Sequence, residues 1–185
     1  HMIELELRIG RHSGVPLETR GAIARFNEAL GRLELYGAAK VPHYNRDAIA
    51  AMLGLSRHGL ELFEGDVGGG FGVRGELYPE DVLVCLGALR LGRPVKWIED
   101  RREHLVATNH SRDQVHRVRA GFDDRGLILG LDDEFWSDQG AYVRTHGVTV
   151  ADIGAAMLPG PSVVPACRLP GLLRLTNQTA PGTHS

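Results

Sequence analysis

Cysteine is scarce in this chain of 185 residues, which contains only Cys85 and Cys167. Two cysteines so far apart, neither in a CxxC pair, exclude a disulfide framework, a zinc knuckle and an iron–sulfur site within this sequence. Cys85 lies in an apolar run, so we expect a buried structural thiol there. A cytoplasmic protein is the default expectation, because disulfide frameworks belong to oxidising compartments.

Long apolar runs and one-sided charge are also missing. No segment approaches the roughly 20 apolar residues that a membrane helix needs, and the first residues have no signal-peptide pattern. The net charge is −2 at pH 7, and Lys and Arg are scattered among Asp and Glu. The sequence therefore predicts neither a nucleic-acid-binding surface nor a membrane-binding patch. His1 and Met2 are typical of a vector remnant rather than of native sequence, so they are left out of the expected domain.

Motifs for two common kinds of catalysis are absent as well. The nine histidines show no HxH or HExxH spacing that would place two metal ligands on one face. We therefore expect no metal site made of protein side chains. No GxSxG elbow is present, which leaves a serine hydrolase without support.

Hydrophobic periodicity indicates one globular α+β domain with mixed sheets and packed helices. Apolar residues make up 43% of the chain and charged residues 24%, enough for a sizeable core. Strands are predicted at residues 3–9, 22–26, 33–36, 60–63, 115–122, 127–135 and 172–175, with hairpin turns at 27–32 and 123–126. Helices are predicted from an Asn45 N-cap to Gly54, from Pro79 to Gly92, and over residues 101–107. Arg117 and Arg119 alternate with apolar residues, which is typical of the solvent face of a strand.

The most informative segment is residues 65–72, which has five glycines in eight positions. Glycine lacks a Cβ, so consecutive glycines let main-chain N–H groups approach an anion or oxo ligand closely and adopt positive φ freely. Three glycines in a row are more than an ordinary turn requires. The segment therefore predicts contact with a phosphate or a cofactor, with a ligand-free turn as the alternative.

Two familiar phosphate-binding motifs fit this segment unequally. A Walker A loop requires Gly-Lys-Ser/Thr after its glycines, whereas Val73-Arg74-Gly75 follows here. Residues 70–75 do match GxGxxG, and Glu99 and Asp100 follow the next apolar run as candidate ribose ligands. A nucleotide-binding domain that uses this loop therefore stays as the alternative.

Four segments together carry a resemblance to one family. They are Gly68-Gly69-Gly70-Phe71-Gly72, Arg93-Pro94-Val95-Lys96 with residues 99–103 after it, the PLETR stretch at residues 16–20, and residues 176–182. These segments resemble, in that order, the GGGFG, GRPVKW, PLEPR and TNK.P.G stretches of the large, molybdenum-binding subunit of the xanthine dehydrogenase/aldehyde oxidase family. The match spans nearly the whole chain, so it does not depend on one short motif.

The resemblance implies the α+β fold of that family's molybdenum cofactor-binding domain. It also implies that Gly68, Gly69, Gly70, Phe71 and Gly72 contact a molybdenum–molybdopterin cofactor, in a dinucleotide form, through backbone donors. The implied activity is hydroxylation of a small-molecule substrate, an aldehyde or an N-heterocycle, with water as the oxygen source. FAD and iron–sulfur clusters would then belong to partner subunits or domains. Phe71 is expected to shape the substrate side, with a core aromatic as the alternative.

This sequence departs from the family pattern at several functional positions, so the roles of those family residues are not assigned here. Lys40 stands where many relatives have a glutamine near the metal, and an ammonium group only donates hydrogen bonds. The tyrosine and arginine of the family's substrate loop would fall at His184 and Ser185, and its catalytic glutamate has no counterpart, so no catalytic residue is assigned. Residues 3–185 are expected to be part of a cofactor domain that is inactive alone. Residues 137–142 resemble the family's D.GAY segment beside the cofactor, with an Asp-capped turn as the alternative.

Overall fold

The structure is a computed structural model that describes residues 1–37 and 39–184. The chain divides into two compact units. Residues 1–12 and 109–183 form one, which we name the long-strand unit, and residues 13–108 with residue 184 belong to the other, which we name the loop unit. Both contain strands and helices, which confirms the expected α+β class.

The regular elements follow one another along the chain as strands interrupted by helices. They are β1 (Met2–Ile9), β2 (Gly21–Asn27), β3 (Arg32–Gly37), α1 (Pro42–Met52), β4 (Leu60–Phe63), α2 (Pro79–Leu91), β5 (Val95–Ile98), α3 (Arg101–Ala107), β6 (Gln114–Phe122), β7 (Ile128–Asp138), α4 (Gly147–Met157), β8 (Cys167–Arg168) and β9 (Gly171–Arg174). A 3₁₀ turn, Val73–Gly75, lies between β4 and α2.

The loop unit is built on a sheet with the strand order β4-β3-β2-β5. β2 and β3 form the expected antiparallel hairpin, while β4 runs parallel to β3 and β5 antiparallel to β2. β4 therefore lies at one edge of this sheet, and the glycine segment continues from that edge.

Helices α1 and α2 pack on this sheet and close the core of the loop unit. Ala24, Leu33, Ile49, Leu60 and Cys85 are each at most 2% exposed. Burial raises the pKa of the Cys85 thiol to about 12, so the thiol stays protonated and unreactive. The predicted structural role of this cysteine is confirmed.

The start of α1 differs from the prediction, which placed an N-cap at Asn45. The helix begins at Pro42, which suits the first position because its φ is already helical and it has no N–H to satisfy. Asn45 lies inside the helix, 3% exposed, with its side-chain nitrogen 3.5 Å from the Glu76 carbonyl oxygen. The predicted bounds of the other two helices are close to those observed, and Gly92 ends α2 with φ +60°.

A buried ion network connects the residue before β2 with the start of α3. The Arg20 guanidinium lies 2.5 and 3.1 Å from Glu99 Oε1, and Glu99 Oε2 lies 2.8 Å from His104 Nδ1. The side chains of Glu99 and His104 are 0% exposed and that of Arg20 is 8% exposed. Burial opposes ionisation of Glu99, but the hydrogen bonds from Arg20 and His104 and the charge of Arg20 together outweigh it and hold the pKa of this carboxyl below its usual value.

The long-strand unit is a sheet in which β6 pairs with β1 and β7, and β7 also pairs with β8 and β9. β6 and β7 form the expected hairpin. Asp123 Oδ1 closes its turn by accepting two backbone N–H groups at 2.9 Å each, and Gly126 has φ +81°. Arg117 and Arg119 are exposed at alternate positions of β6, as predicted.

Two features of the long-strand unit differ from the prediction. β1 alternates apolar and charged residues, but all of its residues are exposed rather than half of them; Leu5, for example, is 53% exposed. Helix α4 occupies a region in which no helix is predicted. Val148, Ala151 and Ala155 face Phe135 across a shared cleft, and their spacing of three and four residues is a helical signal that the prediction missed.

Residues 137–142 form the Asp-capped turn, one of the two interpretations of this segment. Asp138 Oδ1 accepts hydrogen bonds from the Gly140 amide at 2.6 Å and from Thr176 Oγ1 at 2.8 Å, and Gly140 has φ +65°. A cofactor contact by this segment stays a prediction. Across residues 1–37 and 39–184, no helix combines the length and the apolar character that a membrane span requires.

Candidate functional site

The glycine segment leaves β4 at Phe63 and ends in the 3₁₀ turn Val73–Gly75. Its backbone is irregular, with φ angles of +100° at Gly69, +46° at Phe71 and +88° at Gly72. Glycine reaches this region at no steric cost. For Phe71 the left-handed conformation costs roughly 1–2 kcal/mol. Backbone strain of this kind is concentrated at ligand-binding and active sites.

Among residues 65–72, Gly68 is the one whose amide donates to an acceptor within the described residues; the unbonded amides of residues 65–67 precede it on exposed backbone. The Gly68 amide donates to Glu18 Oε2 at 2.8 Å. The next four amides donate to no acceptor within residues 1–37 and 39–184; they belong to Gly69, Gly70, Phe71 and Gly72, and we name them the amide row. A buried backbone N–H group rarely lacks a partner; within the amide row Gly72 is buried, Gly69 and Gly70 are half-buried and Phe71 is exposed. Four such groups in succession are therefore available to a ligand from outside the chain.

Gly70 is a glycine that the packing of this chain does not require. A Cβ at this position would meet no atom closer than 3.9 Å, and its φ is not left-handed. By contrast, a Cβ at Gly68 would lie 2.5 Å from the Glu18 Cβ, and Gly69 and Gly72 have positive φ. The fold therefore explains these three glycines. Gly70 has no steric reason within the chain, and the same is true of Gly65, but of these two glycines Gly70 is the one that lies in the amide row.

Phe71 is 54% exposed, so the alternative that it is a core aromatic is wrong. Its ring lies beside Gly69, where an added Cβ would be 3.1 Å from Phe71 Cε2. An exposed aromatic ring thus stands next to the amide row and on the same strained backbone.

Arg74 and Glu18 hold the segment from its inner side. Arg74 Nε donates to the Gly69 carbonyl at 2.9 Å, and Arg74 Nη2 lies 2.7 Å from Glu18 Oε2. The Arg74 side chain is only 4% exposed. Neither residue is predicted as a site residue from the sequence, although an arginine directly after a glycine-rich segment is a signal that could have identified Arg74.

Lys40 lies close to the glycine segment, because its amide donates to the Arg74 carbonyl at 3.0 Å. Its side chain is exposed. The segment that resembles the family's glutamine region, residues 37–43, therefore reaches the 3₁₀ turn; within it, Ala38 lies outside the described residues. Ser185, one of the two positions expected for the substrate-loop residues, also lies outside them.

The geometry that a dinucleotide-binding loop needs is not formed here. Gly75 ends the 3₁₀ turn and α2 begins only at Pro79, so the loop does not open directly into a helix N-terminus that could hold a pyrophosphate. Glu99 is buried against Arg20 and His104, where a ribose cannot reach its carboxylate. The nucleotide-binding alternative has no support in this fold.

A cleft of about 530 Å³ lies next to the glycine segment. Its lining includes the rings of Tyr36 and Phe63, which stack at 4.8 Å, and it extends to Gly65 and Asp66 but not to the amide row. In the part of the chain that the structure describes, no three His, Cys, Asp or Glu side chains gather in a way that could hold a metal ion. A metal bound at the amide row has to bring other ligands with it.

The sequence has relatives among known proteins. A family model described as the molybdopterin cofactor-binding domain matches residues 1–184. The γ subunit of the 6-hydroxypseudooxynicotine dehydrogenase complex of Paenarthrobacter nicotinovorans is 39% identical over 184 residues, which cover 100% of this chain and 23% of that subunit. The nicotine 6-hydroxylase large subunit of the same organism is 34% identical over 142 residues, 77% of this chain and 17% of that subunit.

The fold also matches solved structures. Quinoline 2-oxidoreductase from Pseudomonas putida 86 superimposes with a TM-score of 0.96 at 34% identity, covering 100% of this chain and 24% of that one. Carbon monoxide dehydrogenase from Oligotropha carboxidovorans gives a TM-score of 0.90 at 26% identity, covering 100% of this chain and 23% of that one. The chain thus spans about a quarter of the length of such relatives. These matches confirm the expected fold.

Proposed function

Because this chain belongs to the molybdopterin cofactor-binding domains of the xanthine dehydrogenase/aldehyde oxidase family, we propose that its amide row binds the molybdenum–molybdopterin cofactor. The observation that carries the proposal is the pairing of four unbonded amides with the open space at Gly70. Oxo and phosphate oxygens are strong acceptors, and successive backbone N–H groups form a favourable site for them. The residues present therefore suit the cofactor.

Gly68 has a different role in this proposal from the other predicted residues. Its amide is held by Glu18, so it has no free donor to offer. Its lack of a side chain lets the backbone pass Glu18, since a Cβ would come within 2.5 Å of the Glu18 Cβ. Gly68 thus shapes the segment, and the donors begin at Gly69.

When bound, the cofactor supplies the oxidation chemistry that hydroxylates a substrate carbon with oxygen from water. The chain contributes position and electrostatics. The amide row orients the cofactor through N–H dipoles that need no rearrangement when charge develops. The exposed Phe71 ring is placed to limit how a flat molecule approaches the row.

The substrate class we propose is an N-heterocycle. Quinoline 2-oxidoreductase and nicotine 6-hydroxylase are both named for ring substrates and are each 34% identical to this chain. An aldehyde is the other member of the expected class, and it is supported by a weaker match, bovine aldehyde oxidase 1 at 27% identity.

The activity we propose belongs to a larger, multi-subunit enzyme. One relative is named as a subunit of a complex, and this chain covers 23% of it. We therefore place FAD and iron–sulfur clusters on partner subunits or domains, expect the pterin in a dinucleotide form, and expect the 185-residue chain to be inactive alone. A cytoplasmic location is part of the same proposal.

The test compares Gly70→Ala with Gly65→Ala in the complete subunit, expressed with its partners. An added Cβ meets nothing closer than 3.9 Å at Gly70 and nothing within 4 Å at Gly65, and neither φ is left-handed, so both variants should fold. We expect Gly70→Ala to retain about tenfold less molybdenum and pterin, because a hydrogen bond to a charged group contributes about 1.5–3 kcal/mol. Metal analysis and pterin fluorescence measure the loss.

Gly65→Ala is the matched control, since it adds the same methyl group to the same segment outside the amide row. It should keep the cofactor content of the parent protein. If Gly70→Ala also keeps it, the amide row does not contact the cofactor. Thermal melts of both variants establish that a loss of cofactor is not a loss of fold.

A further inference from the structure

We propose that Arg74 and Glu18 are positioning residues that turn the amide row outward. They act through the backbone of residues 68–72, and the link from that orientation to a ligand rests on the proposed function. How the row is held, however, can be measured without any ligand.

Three consecutive carbonyls of the segment are bonded inward. The Gly68 carbonyl accepts from the Glu18 amide at 3.1 Å, the Gly69 carbonyl from Arg74 Nε at 2.9 Å, and the Gly70 carbonyl from the Val73 amide at 2.8 Å. In a planar trans peptide unit, the C=O and the following N–H point in opposite directions. Fixing three carbonyls on the inner side therefore directs the first three N–H groups of the amide row to the outer side.

The middle carbonyl depends on a side chain, whereas its two neighbours are bonded to backbone amides. Arg74 Nη2 also donates to the carbonyls of Glu18 and Thr19 at 3.2 and 3.1 Å. The planar guanidinium can serve the glycine segment and residues 18–19 at the same time, because its donors are fixed in a fork. A lysine ammonium on a flexible stem cannot reproduce this arrangement.

Glu18 balances the charge of the buried Arg74 guanidinium and accepts a hydrogen bond from the Gly68 amide, which directly precedes the amide row. Its Oε2 accepts from Arg74 Nη2 at 2.7 Å and from the Gly68 amide at 2.8 Å, while its side chain is 47% exposed. A buried cation needs a countercharge, and Arg74 is 5% exposed. Because Glu18 takes the Gly68 amide, the outward row starts one residue later.

The orientation of the amide row can be followed through the left-handed φ of Phe71, which is +46°. A phenylalanine leaves that region when nothing holds it there. If the Gly69 carbonyl is released, we expect the peptide units around Phe71 to rotate toward ordinary φ values.

The experiment uses the 185-residue chain with Arg74→Lys and Glu18→Gln, and with Arg90→Lys as the matched control on the exposed end of α2. The three-bond HN–Hα coupling of Phe71 reports its φ, and hydrogen exchange of the Val73 amide reports its bond to the Gly70 carbonyl. In Arg74→Lys we expect the coupling to shift toward that of an averaged φ and Val73 exchange to accelerate about tenfold. Val84, buried in α2, should keep its rate.

Glu18→Gln should change the same two quantities in the same direction but less, and Arg90→Lys should change neither. Unaltered Phe71 coupling and Val73 exchange in Arg74→Lys would overturn the proposal. If Arg74→Lys does not fold, the same two measurements on Glu18→Gln test the proposal. The Glu18→Gln variant should fold, because the Glu18 side chain is half exposed and glutamine has the same size. Neither readout requires cofactor, so this outcome is separate from that of Gly70→Ala.

Discussion

Two buried arginines of the loop unit contrast with two exposed arginines of the long-strand unit. In the loop unit, the side chains of Arg20 and Arg74 are 8% and 4% exposed. In the long-strand unit, Arg119 and Arg168 are 53% and 66% exposed and share one carboxylate, Asp132. These two arginines of the loop unit are thus buried, whereas these two of the long-strand unit are at the surface.

The difference shows which parts of the backbone need side chains to hold them. Arg74 bonds three carbonyls of irregular loops, whereas the exposed pairs lie on strands whose backbone is already bonded by the sheet. Arg11, in the long-strand unit, follows the same rule: it is 13% exposed and its guanidinium donates to the Thr179 carbonyl, outside the strands. Arg74 and Arg11 thus stabilise irregular backbone, whereas the buried Arg20 is bonded to the carboxylates of Glu99 and Glu80. Exposed arginines contribute little.

The largest effect we expect comes from Glu99→Gln in the loop unit. The substitution keeps the shape of the side chain but leaves Arg20 buried without its main countercharge. Breaking a buried ion pair from one side costs about 3–5 kcal/mol, and we expect about 3 because Glu80 still lies 3.2 Å from Arg20. Urea unfolding should show this loss of stability, while Glu28→Gln, on an exposed turn, should show none.

The two tryptophans make this prediction specific to one unit. Trp97 lies in β5 of the loop unit and Trp136 in β7 of the long-strand unit. In a Trp136→Phe background the remaining fluorescence reports the loop unit alone, and in a Trp97→Phe background it reports the long-strand unit alone. If Glu99→Gln lowers the unfolding midpoint seen by Trp136 but not the midpoint seen by Trp97, the buried network does not stabilise the unit that contains it.

Local patterns predicted much of the fold because the signals lie inside each element. Strand β4 and helix α3 are predicted within their own few residues, by alternation and by helical spacing. Asn45 was placed wrongly at a helix start, because Pro42 begins α1 and frees Asn45 for a tertiary contact. The exposure of β1 could not be predicted, since it depends on what covers the sheet rather than on the strand.

The candidate site was predicted in part for a similar reason. The glycines are adjacent in the sequence, so their composition predicts a phosphate or cofactor contact, and the family resemblance is what points to the molybdenum cofactor; that contact stays a prediction. The contact between Arg74 and Glu18 joins residues that are 56 positions apart, and no local pattern connects them. The Gly68 amide is occupied by a hydrogen bond to Glu18, which is 50 positions away, so Gly68 could not be separated from Gly69 without the structure.

An intermediate effect is expected from Asp81, a carboxyl near the N-terminus of α2 in the loop unit. Burial raises its pKa to about 6, although the Tyr78 amide and the charges of Arg20 and Arg74 favour ionisation. The folded state then binds more protons than the unfolded state between pH 4 and 6, since the unfolded pKa is about 3.9. The contribution of Asp81 to stability therefore decreases as the pH rises through this window, by about 1–3 kcal/mol.

Asp81→Asn should remove that dependence. Relative to the parent protein, the variant should gain stability between pH 4 and pH 7 in urea unfolding followed by Trp97. Glu34 does not interfere: hydrogen bonds from Asn27, Arg25 and Tyr36 lower its pKa to about 2, so its contribution is lost only as the pH falls through the range below about 4.5. Parallel pH profiles for parent and variant would show that the Asp81 carboxyl titrates normally.

The smallest effect is expected from Arg168→Gln in the long-strand unit. Arg168 Nε lies 2.8 Å from Asp132 Oδ1, but its side chain is 66% exposed and Arg119 remains paired with the same carboxylate. Exposed pairs are screened by salt and contribute little to stability. The unfolding midpoint seen by Trp136 should be unchanged at 0.5 M salt and lowered only slightly at low salt. A loss as large as that of Glu99→Gln would mean that burial is not what separates the two sets of arginines, and the stabilising role we assign to Arg20 and Arg74 would need another cause.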